Sequence, residues 1–302
     1  MRWSSERRLV VTGADGQIGW ELQRTLAPLG RVYALRRADV DLTDEARLRH
    51  LIRETRPAAI VNAAAYTAVD RAESEPDLAF AVNARAPEVL AEEAARLGVP
   101  LVHYSTDYVF DGTKGAPYVE TDPVAPLGVY GETKLAGERL ITAVGGTHLV
   151  FRTSWVYGVR GHNFLRTMLR LSRERDELRV VADQRGSPTP ARLVAEVTAQ
   201  VLGGLVRAAP LTVANAPVGV HHLTTRGDTT WFEFARAILA LDPRGSEQRA
   251  VRVLPVSTAE FPTPARRPAF SVLDTSGTEL AFGLSLPHWH DQLELVAADL
   301  VG

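Results

Sequence analysis

The sequence contains no cysteine. Disulfides and thiolate-held metals are therefore excluded, and the composition fits a reducing cytoplasm. Long apolar runs are also missing. Nowhere do about eighteen apolar residues follow one another, so no membrane-spanning helix is expected. Residues 1–8 are polar and charged, and the apolar run behind them is too short for the core of a signal peptide. Charge of one sign is not in excess either: 34 Lys+Arg stand against 36 Asp+Glu, a formal net charge of −2. With no global basic field, neither nucleic acid nor anionic lipid is an expected partner, and any phosphate must be held by local groups. Internal repeats and low-complexity tracts are absent. The expectation is a cytoplasmic globular protein.

What is present is 302 residues, 45% hydrophobic and 23% charged, enough for one large α/β domain or two smaller cores. In the first half, buried-strand patterns at 8–12, 31–35, 59–63 and 100–105 alternate with helical patterns at 18–29, 44–55 and 77–97. Such alternation predicts right-handed crossovers and a doubly wound parallel sheet of Rossmann type. A helix at 130–143 and a strand at 149–154 continue it. Helices are then expected at 163–174, 192–205, 231–241 and 289–300, with strands at 178–181, 219–223 and 251–254. Residues 1–155 read as the NAD(P)-binding domain, completed by parts of 185–220. Residues 156–302, richer in proline, read mainly as a smaller α/β substrate-binding lobe.

Directly after the first strand comes Thr12-Gly13-Ala14-Asp15-Gly16-Gln17-Ile18-Gly19. Gly13, Gly16 and Gly19 let the backbone turn tightly beside a pyrophosphate, and the helix opening near Gln17 and Ile18 points free N–H groups at it. The second strand runs into Leu35-Arg36-Arg37, where NAD-binding sheets usually carry an acid for the ribose hydroxyl. Two guanidinium groups suit a 2′-phosphate instead, which points to NADPH. Asp39 or Asp41 would take the acidic role if the strand ran further, so NADH stays open.

Tyr130 and Lys134 lie four apart at a helix start, on one face. An adjacent ammonium favours the phenolate, so Lys134 is expected to lower the Tyr130 pKa toward useful general-acid strength. Ketone reduction needs such an acid, because the oxygen gains a proton as hydride reaches carbon. A bare Y-x-x-x-K pair recurs by chance, and its weight here comes from following the glycine turn. Ser105-Thr106-Asp107-Tyr108 ends a strand where the carboxyl edge of a parallel sheet faces ligand, and Thr106 would hydrogen-bond a substrate carbonyl. A plain Ser/Thr/Asp turn is the alternative reading.

Together these segments resemble the extended short-chain dehydrogenase/reductase superfamily. The resemblance narrows with Asn62-Ala63-Ala64-Ala65-Tyr66-Thr67-Ala68-Val69-Asp70, Ser105-Thr106-Asp107-Tyr108-Val109-Phe110-Asp111-Gly112, Arg152-Thr153-Ser154-Trp155, Asp183-Gln184-x-Gly186-x-Pro188-Thr189 and Arg267-Pro268-x-x-Ser271. In this order they look like the signature of dTDP-4-dehydrorhamnose reductases. The resemblance implies reduction of a nucleotide-linked 4-keto sugar, dTDP-4-dehydro-L-rhamnose, to dTDP-L-rhamnose. It implies Tyr130 as proton donor, Lys134 on the nicotinamide ribose and Thr106 on the C4 oxygen. It implies sugar contacts at Val69, Asp107, Tyr108 and Trp155, and nucleotide contacts at Gln184 and Arg267. The cofactor would be lined by Gly13, Gly16, Gln17, Ile18, Gly19, Asp41, Leu42, Ala63, Ala64, Ala65 and Thr67. Some members form homodimers and some carry Mg²⁺, for which the sequence offers no recognisable site.

Arg185 and Ser187 fill variable positions of their motif, and residues 261–267 (FPTPARR) are where sugar preference is expected to vary. His221-His222 and His288-x-His290 lack a carboxylate set and read as packing or surface residues rather than metal ligands. The mixed run at 173–177 reads as a solvated helix end, and Trp231, Phe232 and Phe234 as core of the second lobe. Four functions compete: the rhamnose-type reductase, a sister reductase of another dTDP-4-keto-6-deoxysugar, a nucleotide-sugar epimerase or dehydratase, and a non-catalytic regulatory subunit.

Overall fold

In chain order the main strands are β1 (Arg8–Thr12), β2 (Arg31–Leu35), β3 (Ala59–Asn62), β4 (Leu101–Thr106), β5 (His148–Thr153), β6 (Glu177–Val181), β7 (Gly219–His222) and β8 (Arg252–Val256). The computed structural model describes residues 7–207, 218–250 and 252–300. Six strands form one parallel sheet in the order β7-β5-β4-β3-β1-β2. β6 and β8 form a separate parallel pair. Leu9, Val10 and Val11 are fully buried, as a strand covered on both faces requires.

The helices are α1 (Gln17–Thr25), α2 (Glu45–Thr55), α3 (Ala86–Leu97), α4 (Val129–Val144), α5 (Phe164–Glu174), α6 (Ala191–Arg207), α7 (Trp231–Ala240), α8 (Ser276–Phe282) and α9 (Trp289–Ala298). On one face of the sheet Leu22 of α1 and Leu26 just after it pack with Val197 and Val201 of α6. On the other, Leu48 and Ile52 of α2, Val89 and Leu90 of α3 and Ile141 of α4 close the second core. A third apolar cluster, with Tyr157, Leu165, Phe234 and Leu293, lies away from the sheet. Phe234 sits there as expected, with Trp231 and Phe232 packed against it.

Three elements depart from the sequence pattern for identifiable reasons. The expected helix at 18–29 stops at Thr25, and Ala27–Leu29 tightens into a 3₁₀ turn around Pro28, which has no N–H to continue the ladder. The expected helix at 77–97 is interrupted: Pro76–Phe80 is followed by a π turn over Ala81–Arg85, and α3 begins just before Pro87. Proline at 87 cannot bond the Asn83 carbonyl, so the turn widens there. That carbonyl lies so close to Gly137 of α4 that a Cβ at 137 would meet it at 2.2 Å. Arg173, expected to be solvated, instead reaches the buried Asp242 at 2.7 Å and Glu247 at 3.0 Å, tying α5 to the turn behind α7. α8 had no counterpart in the sequence pattern. Part of the expected 251–254 strand, residue 251, lies outside the described residues.

Candidate active site

β1 is flanked by β2 on one side and β3 on the other, so the chain reverses its winding direction between β1 and β3. Ligands of open α/β sheets bind outside the carboxyl ends at that switch point. Gly13 follows β1 there with φ +72°, and a Cβ on it would lie 2.6 Å from the Ala64 nitrogen. A Cβ at Gly19 would meet the Gly13 oxygen at 2.0 Å. Gly16 caps α1 without any side-chain bond to its first amides. The cradle is thus bare backbone with helix N–H groups at its floor, a donor set that fits a dinucleotide pyrophosphate.

Gln17 contributes only its backbone to this floor. Its side chain accepts from Asn163 Nδ2 at 2.8 Å and donates to the Val156 carbonyl at 3.3 Å. Ile18 packs into the sheet's first core. At the end of β2, Arg36 and Arg37 are exposed, and Arg36 Nε lies 3.4 Å from Asp15. β2 stops at Leu35, so neither Asp39 nor Asp41 sits on its end. Asp39 accepts the Arg36 N–H, and Asp41 accepts the Thr43 N–H and hydroxyl, which hold its carboxyl below the usual range. Leu42 packs against the second core. Behind β3, the Ala63 and Ala64 backbone lies against Gly13, and Ala65 and Thr67 follow in the chain. Asn83 on the π turn pins that segment: its side-chain Oδ1 accepts the Tyr66 N–H at 2.8 Å, while its NH₂ donates to the Tyr66 carbonyl and to Thr133 on α4, both at 3.1 Å.

At the end of β4, the Thr106 hydroxyl donates to Asp107 at 3.0 Å and accepts the Tyr108 N–H at 3.1 Å. Asp107 is buried, its second oxygen has no hydrogen-bond partner, and desolvation pushes it up to about 7. The Tyr108 and Tyr130 rings meet edge to face at 5.8 Å. Val69, Tyr108 and Tyr130 line one cleft with Glu73, Ala265 and Pro268.

The expected lowering of Tyr130 by Lys134 is corrected here. Burial pushes Tyr130 up to about 12, opposed by the Thr106 hydroxyl and reinforced by the Asp107 charge. Lys134 does lie on the same helix face. Its Nζ, however, runs past to the sheet, donating to the Tyr104 carbonyl at 2.6 Å and lying 3.2 Å from His103 Nε2. Lys134 is itself brought down to about 8 by burial, against the pull of Glu138.

From the opposite side, Trp155 stands in the left-handed region at φ +47° and stacks on Trp231 with ring centres 3.5 Å apart. A Cβ at Gly186 would lie 2.4 Å from the Trp155 ring, which explains the glycine of the D-Q-x-G segment. Gln184 is buried and donates to Thr258 at 3.0 Å, so its amide faces the turn at 257–260. Arg267 binds both oxygens of Asp70, at 3.1 and 2.9 Å, and Asp70 also accepts the Ala265 N–H. Asp70, Asn83, His103 and Trp231 were not foreseen as site residues. Asp70 alone left a trace, as the one acid in an otherwise apolar and small-residue motif. Among the described residues no group of three or more His, Asp or Glu could hold a metal ion.

This edge of the sheet has the strand-end cradle of a Rossmann-type dinucleotide site, and the protein's relatives place it among NAD(P)H-dependent oxidoreductases. A family model described as RmlD substrate binding domain matches residues 7–301. The dTDP-4-dehydrorhamnose reductase of Burkholderia thailandensis is 47% identical over 297 residues, covering 97% of this chain and 99% of that protein. A solved dTDP-4-dehydrorhamnose reductase from Clostridium acetobutylicum is 36% identical, with a TM-score of 0.89 over 98% of this chain and 100% of its own. One from Bacillus anthracis, in complex with NADP, is also 36% identical, with a TM-score of 0.86 over 97% and 99%. The chain belongs to the dTDP-4-dehydrorhamnose reductase family.

Proposed function

We propose that this protein reduces the C4 keto group of dTDP-4-dehydro-L-rhamnose to dTDP-L-rhamnose with NADPH. The observation that carries the reading is the placement of a half-buried, cleft-lining tyrosine beside Thr106, on the same sheet edge as the glycine cradle. NADPH would supply the hydride. Gly13, Gly16 and the first amides of α1 would hold its pyrophosphate, Arg36 and Arg37 its 2′-phosphate, residues 63–67 its flank, and Lys134 its nicotinamide ribose.

Tyr130, held near 12 by burial, keeps its proton at neutral pH and is therefore loaded to donate. As charge grows on the sugar oxygen, Thr106 can turn its hydroxyl from Asp107 onto that oxygen, and Tyr130 delivers the proton. Residues 1–155 with parts of 185–220 serve the cofactor, and 156–302 mainly the sugar nucleotide. The second lobe contributes Trp231, stacked on Trp155, together with Gln184 and Arg267, the latter anchored on Asp70. An epimerase that recycles bound NAD would call for an acid where Arg36 stands.

The test supplies dTDP-4-dehydro-L-rhamnose generated in situ and follows NADPH absorbance. Wild type should turn over, and Tyr130→Phe should lose about two orders of magnitude or more. If wild type oxidises neither NADPH nor NADH, the reductase reading is wrong.

A further inference from the structure

The first turn of the catalytic helix α4 is held from two sides. On the inner side Gly131 lies so close to the end of β4 that a Cβ on it would meet the Tyr108 carbonyl oxygen at 2.3 Å. On the outer side the Val129 N–H donates to Glu73 Oε1 at 3.0 Å. Tyr130 stands between these two contacts, and its carbonyl accepts the Thr133 hydroxyl at 3.0 Å.

The outer contact replaces a cap that the helix itself lacks. Gly128 occupies the N-cap and has no side chain to offer the first amides. Its backbone is extended, at φ −163° and ψ 172°, a conformation open to any residue, so glycine is not there for its freedom. Space is the reason: a Cβ at 128 would lie 2.5 Å from Glu73 Oε1. The missing Cβ admits a carboxylate from elsewhere in the chain to the positive end of α4, where negative charge is favoured. Among the described residues this is the one hydrogen bond of the Glu73 side chain. Glu73 directly follows the helical turn Val69–Ala72. That turn places Val69 in the cleft with Glu73, Gly128 and Tyr130, and Asp70 on Arg267.

We propose that Glu73 is a positioning residue, a helix cap supplied from outside α4, which fixes Tyr130 against the Val69 wall of the cleft. The inference rests on the reading of Tyr130 as the proton donor. Without the carboxylate the first turn frays more often, and Tyr130 spends less time in its place. The glycine cradle belongs to β1 and α1 and keeps its own support, so the loss falls on kcat rather than on KM for NADPH. Glu73 is exposed, so its removal acts on the scale of an ordinary cap and leaves the rest of the helix standing.

The test measures steady-state kinetics and amide hydrogen exchange of the whole protein, with variants at Glu73 and Gly128. Glu73→Ala should lower kcat about two- to fivefold, the scale of a lost helix cap, with KM for NADPH unchanged. Exchange should quicken at Val129 and at Glu132, whose N–H closes the first turn on the Gly128 carbonyl at 3.0 Å. Ile141, further along the same helix, should keep its rate. Gly128→Ser pushes the carboxylate out and puts a hydroxyl at the N-cap, where it accepts an N–H of the first turn. In that background Glu73→Ala should change neither kcat nor exchange any further. Glu73→Gln keeps an acceptor oxygen and should restore most of the rate that alanine loses. The proposal is overturned if Glu73→Ala leaves kcat or the first-turn exchange at wild type, or costs the same with and without the serine. A glutamine variant as slow as the alanine one overturns it as well. If Gly128→Ser does not fold, the two Glu73 variants still decide. Failure of the sugar assay would leave the exchange comparison standing, so the cap and the reductase reading fail separately.

Discussion

The most quantitative expectation concerns the pair that anchors the catalytic helix to the sheet. Glu138 lies one turn beyond Lys134 on α4, and Arg152 lies on β5. Both side chains are about 5% exposed or less, and three N···O contacts of 3.0, 3.2 and 2.7 Å join them. The guanidinium also sits 5.2 Å over the Phe110 ring, yet its Nη1 has no partner. Attraction is therefore strong, but desolvation is incompletely offset, and the two statements predict different outcomes for single and double changes. Glu138→Gln keeps the shape and removes the counter-charge, leaving a buried unpaired guanidinium at a cost of about 3–5 kcal/mol. Against a total stability of about 5–15 kcal/mol, that is a large fraction. Glu138→Leu with Arg152→Met removes both charges and should be near neutral, or even stabilising by about 1–4 kcal/mol. Urea denaturation followed by far-UV circular dichroism measures both, with the slope checked for constancy before midpoints are compared. Because Glu138 also supports the charged form of Lys134, Glu138→Gln should lower the lysine's titration further. The reasoning is refuted if the single change costs less than about 1 kcal/mol, or if the double change costs as much as the single.

Four further outcomes follow from individual contacts. Gly186→Ala drives a methyl into a Trp155 ring backed by Trp231, so it should cost about 1–3 kcal/mol of overpacking, change the near-UV dichroism and raise KM for the sugar nucleotide; an unchanged spectrum and KM count against it. Asp70→Asn weakens the anchor of Arg267, and steady-state kinetics should show KM rising several-fold with kcat little altered, while global stability moves by less than about 1 kcal/mol because the pair is partly exposed. Arg36→Ala should weaken NADPH about tenfold relative to NADH, and an equal effect on both would remove Arg36 from the 2′-phosphate. Asp107, raised by burial to about 7 from an unfolded value near 4, stabilises the fold fully only at acid pH and loses that contribution as pH climbs through 7. Asp107→Asn never ionises, so its melting temperature should gain on wild type between about pH 4 and pH 8, and a pH-independent difference would contradict the burial argument.

The elements readable in advance were those specified by neighbours in the chain. β1, the glycine turn and α1 follow one another within residues 8–25, and strand period, missing Cβ atoms and helix start all point the same way. The Asp70–Arg267 link spans 197 residues and the Gln17–Asn163 bond 146, and nothing local to either partner announces the other. The π turn at Ala81–Arg85 was hidden for a related reason. Pro87 falls within a sound helical period, and only the tight approach of Gly137 shows what the widened turn accommodates.

The behaviour of Tyr130 shows where local reasoning stops within a single helix. Spacing of four residues places two side chains on one face, and it did so here. It does not say where a long side chain ends. The Lys134 stem crosses to β4 because a carbonyl and an imidazole wait there, and a buried ammonium or amine gains more from the Tyr104 oxygen than from standing beside a phenol. With the lysine so engaged, desolvation is the largest influence on Tyr130, and its pKa rises where the spacing had suggested a fall. Acidity at the reacting oxygen then depends on Thr106 and on the protonation of Asp107, both from the strand end rather than from the helix. Substituting Asp107 should accordingly shift the pH dependence of turnover more than any change to the exposed face of α4.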